Sequence, residues 1–447
     1  MKVALLCGGI GKRMFPLTED KFLMKFVGKT LIEHQIERAR QAGLDEFVII
    51  GNPNNIERVT QATGKIPGVK VKFAVQKEPL GIADALKSAE HLLDGEVVVV
   101  NPNDVFESSA YLKLVTGYKT NSSRSYVVVM GYAVDDYFPG GYLVIDAENH
   151  LKHIVEKPGK GQEPSELVNI LVHLHTDFKR FLEYAGKVET SRDDAYERAL
   201  DDMIREQRKI VVVIYSDFWQ AIKYPWHLFR VVQHFLETSD HHISPSARIS
   251  DKATIEGKVI IGDNVRVLEN AIIRGPAYIG PNTVIGNNVL VRSSSHIGAD
   301  CVVGYGTEVK GSYIGDRCWF HSSYIGDSII SDDCSFASGT VLANLRLDEK
   351  NVKIRFDGET IDTGQDKLGA IIGRNCKTGI NTSIMPGVRI GEGSFVGPHV
   401  CLMKDLEPGK MILAEPNYHI APNNIAVDEE KKEQFSRRLL GEKPCVE

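Results

Sequence analysis

The chain is 447 residues long, 43% hydrophobic and 25% charged, with a formal net charge of −6 and a pI of about 6.2. That length calls for two or three domains, each with a sizeable core. The acidic balance excludes a global basic field for nucleic acid or an anionic membrane, so any phosphate binding must be local.

No apolar run reaches the roughly 20 residues of a membrane span. The predicted strand Lys2–Leu6 leaves no room for a signal peptide, so a cytoplasmic protein is expected. Cys7, Cys301, Cys318, Cys334, Cys376, Cys401 and Cys445 are odd in number and form no Cys-x-x-Cys pair, which predicts free thiols at small apolar core positions.

The first strand runs into Leu6-Cys7-Gly8-Gly9-Ile10-Gly11-Lys12-Arg13, followed by Pro16-Leu17-Thr18 and Lys21. Gly8, Gly9 and Gly11 let the backbone approach a ligand closely, and the free N–H groups of such a loop make an anion-binding concavity. Arg13 adds a bidentate grip on phosphate and Lys21 a point charge. Next come a helix over Thr30–Ala42 stopped by Gly43 and strands at Glu46–Ile50 and Val71–Val75. A helix at Ile82–Leu93 and a strand at Val97–Val100 complete the pattern. Strands alternating with helices predict a mainly parallel α/β sheet covered on both faces, with ligands beyond the C-terminal strand ends. The glycine loop and the segment after Val100 share that rim.

From about residue 243 the texture changes. Aliphatic–glycine pairs occur at Ile261-Gly262, Ile279-Gly280, Ile285-Gly286, Ile297-Gly298, Val303-Gly304, Ile314-Gly315 and Ile325-Gly326, and again at Ile372-Gly373, Ile390-Gly391 and Val396-Gly397. Intervals of 6, 12 and 18 are those of a hexapeptide-repeat parallel β-helix, with inward aliphatics and glycine at the tight corners. Intervals of 11 mark corners one residue short near Tyr313 and Tyr324, and a polar excursion, Leu345–Lys367, interrupts the repeat. Domains are expected at 1–235 and 236–426, with a charged tail at 427–447. His296, His399, His241 and His242 are expected at corners or on the surface.

The N-terminal run resembles the signature of sugar-1-phosphate nucleotidylyltransferases, Gly-Gly-x-Gly-Thr-Arg-(Leu/Met)-x-Pro-Leu-Thr followed by Pro-Lys, with Lys12 and Asp20 as departures. The resemblance implies a Rossmann-like domain that joins a sugar 1-phosphate to UTP or dTTP with Mg²⁺, releasing pyrophosphate. Asn101-Pro102-Asn103-Asp104 is similar to the family's Asn-Gly-Asp, which makes Asp104 the metal carboxylate. Gln76 to Ala83 resembles the base-binding run, with Gln76 reading a pyrimidine edge and Gly81 passing close to the ring. Gly141-Tyr142 and Val155-Glu156-Lys157-Pro158 resemble the sugar-phosphate strands, with Gly141, Glu156 and Lys157 as contacts. Two positions depart: Leu171 stands for a glycine, and Ala221, in Trp219-Gln220-Ala221-Ile222-Lys223-Tyr224-Pro225-Trp226, stands for the second metal carboxylate of Trp-x-Asp-(Ile/Val)-Gly-x-Pro-Trp.

The second half resembles the left-handed β-helix of hexapeptide acyltransferases. Acetyl transfer to an amine wants a base near neutral pKa, which histidine supplies. His321 to Tyr324, Ala343-Asn344 and Lys350 to Lys353 are similar to the acetyltransferase half of archaeal-type bifunctional sugar-1-phosphate nucleotidylyltransferase/amino-sugar-1-phosphate acetyltransferases. By that resemblance His321 is the base, Tyr324 and Asn344 position the acceptor, and Lys350 and Lys353 hold its 1-phosphate. It also implies acetyl-CoA as co-substrate and a homotrimer or a multiple of it. Two rival readings remain: an N-terminal domain that only senses nucleotide or sugar phosphate, and a regulatory or assembly subunit.

Overall fold

The computed structural model describes all residues except 10, 65, 122–125, 191–193, 357, 416 and 441–447. Ile10 of the glycine run and Cys445 therefore lie outside the described residues. The chain forms two compact units, Met1–Leu413 and a second beginning at Ala414.

The helix Leu31–Gln41 starts where Thr30 and Glu33 form a reciprocal capping box, the Glu33 carboxylate accepting from the Thr30 N–H at 2.8 Å. Its apolar face, Leu31, Ile32, Ile36 and Ala39, is fully buried. The predicted Ile82–Leu93 helix ends at Ser88, and turns carry the chain on to a buried Leu93.

The N-terminal sheet is more mixed than the sequence pattern predicts. Lys70–Val75, Glu46–Gly51, Lys2–Leu6 and Val97–Val100 lie side by side in parallel. Leu167–His175 then joins Val97–Val100 antiparallel, and Val127–Ala133, Gly141–Ile145 and Leu151–Glu156 extend that antiparallel part. Parallel pairing needs crossover helices, and the short connections between residues 133 and 167 have none. Ile210–Tyr215 returns parallel to Val127–Ala133 after two helices.

From His242 to Ile412 the chain winds a left-handed parallel β-helix of three sheets. Ile261, Val267, Ile273, Ile279, Ile285, Val291, Ile297, Val303 and Val309 recur every six residues and fill its axis. Tyr278 pairs with His296, His296 with Tyr313 and Tyr313 with Ile329, so successive coils shorten from 18 to 17 to 16 residues.

The corner glycines act differently from expectation. Left-handed φ falls instead two residues later, on Asn264, Asn282, Asn288 and Asp300. Gly280 is needed because a Cβ there would stand 2.5 Å from the carbonyl carbon of Gly298 on the next coil. Cys301, Cys318, Cys334 and Cys376 stack inward on successive coils, with the Cys318 N–H donating to Cys301 Sγ at 3.3 Å. Cys401 breaks the core expectation: it faces outward beside the inward Leu402 and is exposed.

The two halves of the first unit meet through an apolar cluster that includes Met14, Leu17, Phe26, Trp226, Phe235, Tyr278, Tyr313 and Ile354. His296 corrects the surface assignment made for it. It is 2% exposed, stacked between Tyr278 at 4.7 Å and Tyr313 at 5.0 Å, and its Nε2 accepts from the Val27 N–H at 3.2 Å. His241, His242 and His399 are exposed as expected. The excursion forms an antiparallel hairpin, Lys353–Phe356 with Glu359–Asp362. Its Phe356 ring packs 5.6 Å from Tyr224 and 6.1 Å from Trp226. In the second unit, Asp428 caps the exposed helix Glu429–Leu439 by accepting from the Lys431 N–H at 3.0 Å.

Candidate active sites

The glycine loop is pinned from behind. Asn55 Nδ2 donates to the Cys7 carbonyl at 2.9 Å and Asn52 Nδ2 to the Gly8 carbonyl at 3.3 Å. Gly8 touches Gln76 so closely that a Cβ would lie 2.2 Å from Gln76 Oε1, whereas Gly9 faces open space. Gly9, Gly11, Lys21, Asn52, Arg58 and Asn103 line a cleft of about 390 Å³. Gln76 is buried, and its Nε2 donates to the Gly81 carbonyl at 3.0 Å and to Asp84 Oδ2 at 2.9 Å, which leaves Oε1 as its free acceptor.

Asp104 starts a short strand, Asp104–Phe106, paired antiparallel with Trp219–Ala221, so Ala221 stands directly opposite Asp104. Trp219 shares the Asp104 face by strand alternation, and its Nε1 donates to Asp104 Oδ2 at 3.1 Å. Asn101 Nδ2 donates to the other oxygen at 3.3 Å. Burial pushes the Asp104 carboxyl up to about 6, against the Trp219 hydrogen bond and the charges of Lys223 and Lys21. Beside it, Asn103 Oδ1 is buried without a partner.

Three cations converge on this strand end. Lys21 Nζ donates to the Ile222 carbonyl at 2.9 Å, and burial lowers its pKa against the pull of Asp104. Arg13 lies over the Tyr224 ring at 5.9 Å. The Lys223 ammonium sits 3.6 Å above the Phe138 ring and donates to the Pro139 carbonyl. Burial pulls Lys223 down to about 8, while the charges of Asp104 and Glu156 oppose that shift. Gly141 pairs with Glu156, whose Oε2 comes within 2.9 Å of where a Gly141 Cβ would be, and Glu156 pairs with Lys157 at 2.9 Å.

On the β-helix, Tyr324 and Asn344 lie on successive coils. A Cβ on Gly326 would stand 2.9 Å from both Tyr324 Oη and Asn344 Nδ2, so its absence lets the two groups converge. Asn344 Nδ2 and Lys310 Nζ both donate to Asp327 Oδ2. Burial raises the Tyr324 pKa, helped by the carboxylates of Glu308 and Asp327. His321 is exposed in the turn after Trp319–Phe320 and hydrogen-bonds through its backbone to Phe336. Lys350 and Lys353 are exposed on the excursion, whose hairpin packs on the N-terminal half. Within the single chain no hydrogen bond joins either lysine side chain to His321, Tyr324 or Asn344.

A nucleotidyl transferase model matches residues 2–234, and bacterial transferase hexapeptide repeats match 276–311 and 369–404. A bifunctional sugar-1-phosphate nucleotidylyltransferase/acetyltransferase of Sulfurisphaera tokodaii is 31% identical over 92% of this chain and 99% of its own length. The bifunctional protein GlmU of Methanococcus maripaludis strain C7 is 36% identical over 92% of this chain and 97% of its own. The chain belongs to this bifunctional nucleotidylyltransferase/acetyltransferase family. Among solved structures, a UDP-glucose pyrophosphorylase complexed with UDP-glucose matches 53% of this chain and 99% of its own, at 18% identity and a TM-score of 0.46.

As a member of that family, the chain sets Lys21 within reach of the charges of Arg13 and Asp104, Gln76 against Gly81, and Gly141 beside Glu156 and Lys157. Tyr324 and Asn344 also come together, and His321, Lys350 and Lys353 are exposed. Lys223 is the residue that sequence reasoning passed over. Its signal was its place two positions after Ala221, where the family motif has glycine. The donor set was also testable. One carboxylate facing Ala221 suits a divalent cation that arrives on a triphosphate, since Mg²⁺ takes most of its ligands from phosphates and water. It does not make an all-protein cage. Asp146, Glu148 and His150 do gather two carboxylates and an imidazole, but Asp146 is already paired with Lys152 at 2.7 Å.

Proposed function

We propose that the chain runs two reactions of nucleotide-sugar synthesis, divided between residues 1–235 and 236–426. In the first, a sugar 1-phosphate oxygen attacks the α-phosphorus of UTP or dTTP. The α–β phosphoanhydride bond breaks and pyrophosphate leaves. The observation that carries this reading is Lys21, which lines the cleft beside the glycine loop and feels the charges of both Asp104 and Arg13.

The protein's part is positioning and charge neutralisation. Loop amides around Gly8, Gly9 and Gly11, with Arg13 and Lys21, hold the triphosphate. Gln76 Oε1, packed against Gly8, is the acceptor left on its amide, which suits the imide N–H of uracil or thymine. Gly141, Glu156 and Lys157 take the sugar phosphate. Family chemistry draws on a metal ion, and Mg²⁺ carried by the triphosphate would meet the protein at Asp104, where it would spread the charge of the departing pyrophosphate.

In the second reaction, His321 removes a proton from the amine of glucosamine 1-phosphate or galactosamine 1-phosphate as the nitrogen attacks the thioester carbonyl of acetyl-CoA. Coenzyme A leaves as the thiol. Tyr324 and Asn344 orient the acceptor and Lys350 and Lys353 bind its phosphate. Exposure of His321 and both lysines fits a site completed by a second copy in a cytoplasmic homotrimer. No helix among the described residues is long and apolar enough to cross a membrane.

The test is a matrix of sugar 1-phosphates against nucleoside triphosphates and acetyl-CoA, read by mass spectrometry. A nucleotide sugar and an N-acetylated product are expected; neither product from any combination overturns the reading. Ala221 opposite Asp104 favours one alternative, an N-terminal half that binds substrate without turnover. Acetylated product without pyrophosphate from any pair would select it.

A further inference from the structure

Around Asp104, charge is distributed unusually. Lys21, from the loop after the first strand, and Lys223, from the turn after Trp219–Ala221, both act on the Asp104 carboxylate; Arg13 adds a third positive charge that acts on both lysines, and Asp20 is the further carboxylate acting on Lys21. The strand position opposite Asp104 carries only the Ala221 methyl. Glu156 does not balance the excess, because it is paired with Lys157.

Lys223 is held more tightly than a surface lysine. Its ammonium lies over the Phe138 ring, one ammonium proton goes to the Pro139 carbonyl, and Nζ is 3.7 Å from where a Gly140 Cβ would be. An ammonium has three donors. The carbonyl and the ring face take two directions, which leaves donor capacity on an ammonium that already feels the charges of Asp104 and Glu156. Burial depresses its pKa to about 8, as expected of a cation short of counter-charge. A bound phosphate would supply that counter-charge.

We propose that Lys223 is a phosphate-binding residue of the nucleotidyl site, and that its fixed ammonium gives the site affinity for its phosphorylated substrates without a divalent cation. This rests on the reading of the cleft as a nucleotidyl-transfer site. Because the ammonium is tied to the Pro139 carbonyl and the next carbonyl, Gly140, accepts from the Lys157 N–H at 3.0 Å, the phosphate of the sugar 1-phosphate is its nearer partner; the α-phosphate of the nucleotide is the other source of the same chemistry.

The experiment is isothermal titration of the full chain with glucose 1-phosphate, UTP or dTTP, each in excess EDTA and again with Mg²⁺. Lys223→Met keeps an unbranched side chain of similar length and removes the charge; Lys223→Arg restores the charge. The wild type is expected to bind at least one of these ligands in EDTA. Lys223→Met should weaken that binding about tenfold or more, and Lys223→Arg should recover most of it. The ligand that loses affinity identifies the phosphate. A merely structural lysine would instead shift the melting temperature and weaken binding equally with and without Mg²⁺. Equal affinity of Lys223→Met and wild type in EDTA, or no wild-type binding until Mg²⁺ is added, overturns the proposal. Binding is read without turnover, so absence of pyrophosphate release from every pair would sink the catalytic reading while leaving the Lys223 result standing.

Discussion

The indole N–H of Trp219 donates to the Asp104 carboxylate at 3.1 Å, across the same two-strand ladder that sets Ala221 opposite Asp104. Asp104 is an acid whose folded pKa, about 6, lies above its unfolded value. Its folded form therefore binds more protons between about pH 4 and 6, and its contribution to stability falls as pH rises through that window. The Trp219 bond limits the loss, being a hydrogen bond to a charged group worth about 1.5–3 kcal/mol. Trp219→Phe is expected to destabilise the protein more at pH 8 than at pH 5, because the cavity it leaves costs the same at both. Calorimetric melting at the two pH values reads the difference; equal shifts would show that the bond contributes nothing to holding the ionised carboxylate.

Gly8 and Gln76 are in contact with no room for a methyl group, the Cβ position being 2.2 Å from Oε1. Gly8→Ala must push the Gln76 amide off Gly81 and Asp84. Loss of base selectivity is expected, with the KM for the nucleotide rising at least about tenfold as one oriented hydrogen bond to a buried amide is lost. Steady-state kinetics with UTP, dTTP and a purine triphosphate test it. Unchanged selectivity would free Gln76 from the base-reading role.

His296 ties the two halves of the first unit as a neutral ring. Burial lowers its pKa to about 4, and Nε2 must stay unprotonated to accept from the Val27 N–H. A depressed histidine contributes stability that is present above its unfolded pKa of about 6.5 and is lost as pH falls towards 4. The full contribution is about 3 kcal/mol. The protection factor of the Val27 amide, its exchange rate taken relative to the free-peptide rate at each pH, should fall between pH 6.5 and 4.5 in the wild type. His296→Gln, whose carbonyl accepts without titrating, should flatten that dependence; a parallel pH profile in the variant would place the acid sensitivity elsewhere, His34 being the next candidate because burial lowers it to about 4.

His321→Ala separates the two activities. General-base catalysis contributes about 10²–10⁴-fold, so acetyl-CoA consumption should fall by that factor while pyrophosphate release stays unchanged. His321 is exposed on the β-helix, so its removal should leave the melting temperature within about 1–2 °C of wild type, in keeping with a surface substitution. Acetyl-CoA consumption at the wild-type rate would remove His321 from the mechanism.

The sequence alone determined the elements whose signal is local. A six-residue repeat of aliphatic side chains dictates a β-helix because every inward position must be apolar, and the glycine run after the first strand is a short-range backbone pattern. What followed from packing between distant segments was decided only in the tertiary structure. His296 reads as a corner residue until the shortened coil at Tyr313 and the Val27 turn bury it. The antiparallel half of the sheet depends on which strands lack crossover helices. Glycine at the coil corners answers to the next coil's backbone rather than to its own φ. Most of all, Lys223 stands in the Trp219–Trp226 motif where the family has glycine, and that place by itself gives a lysine no role. Its meaning comes from charge–charge distances to Asp104, Arg13 and Lys21, set by three loops separated by as much as 200 residues of chain. Electrostatic interaction depends on separation in space, which the order of residues along a chain does not record.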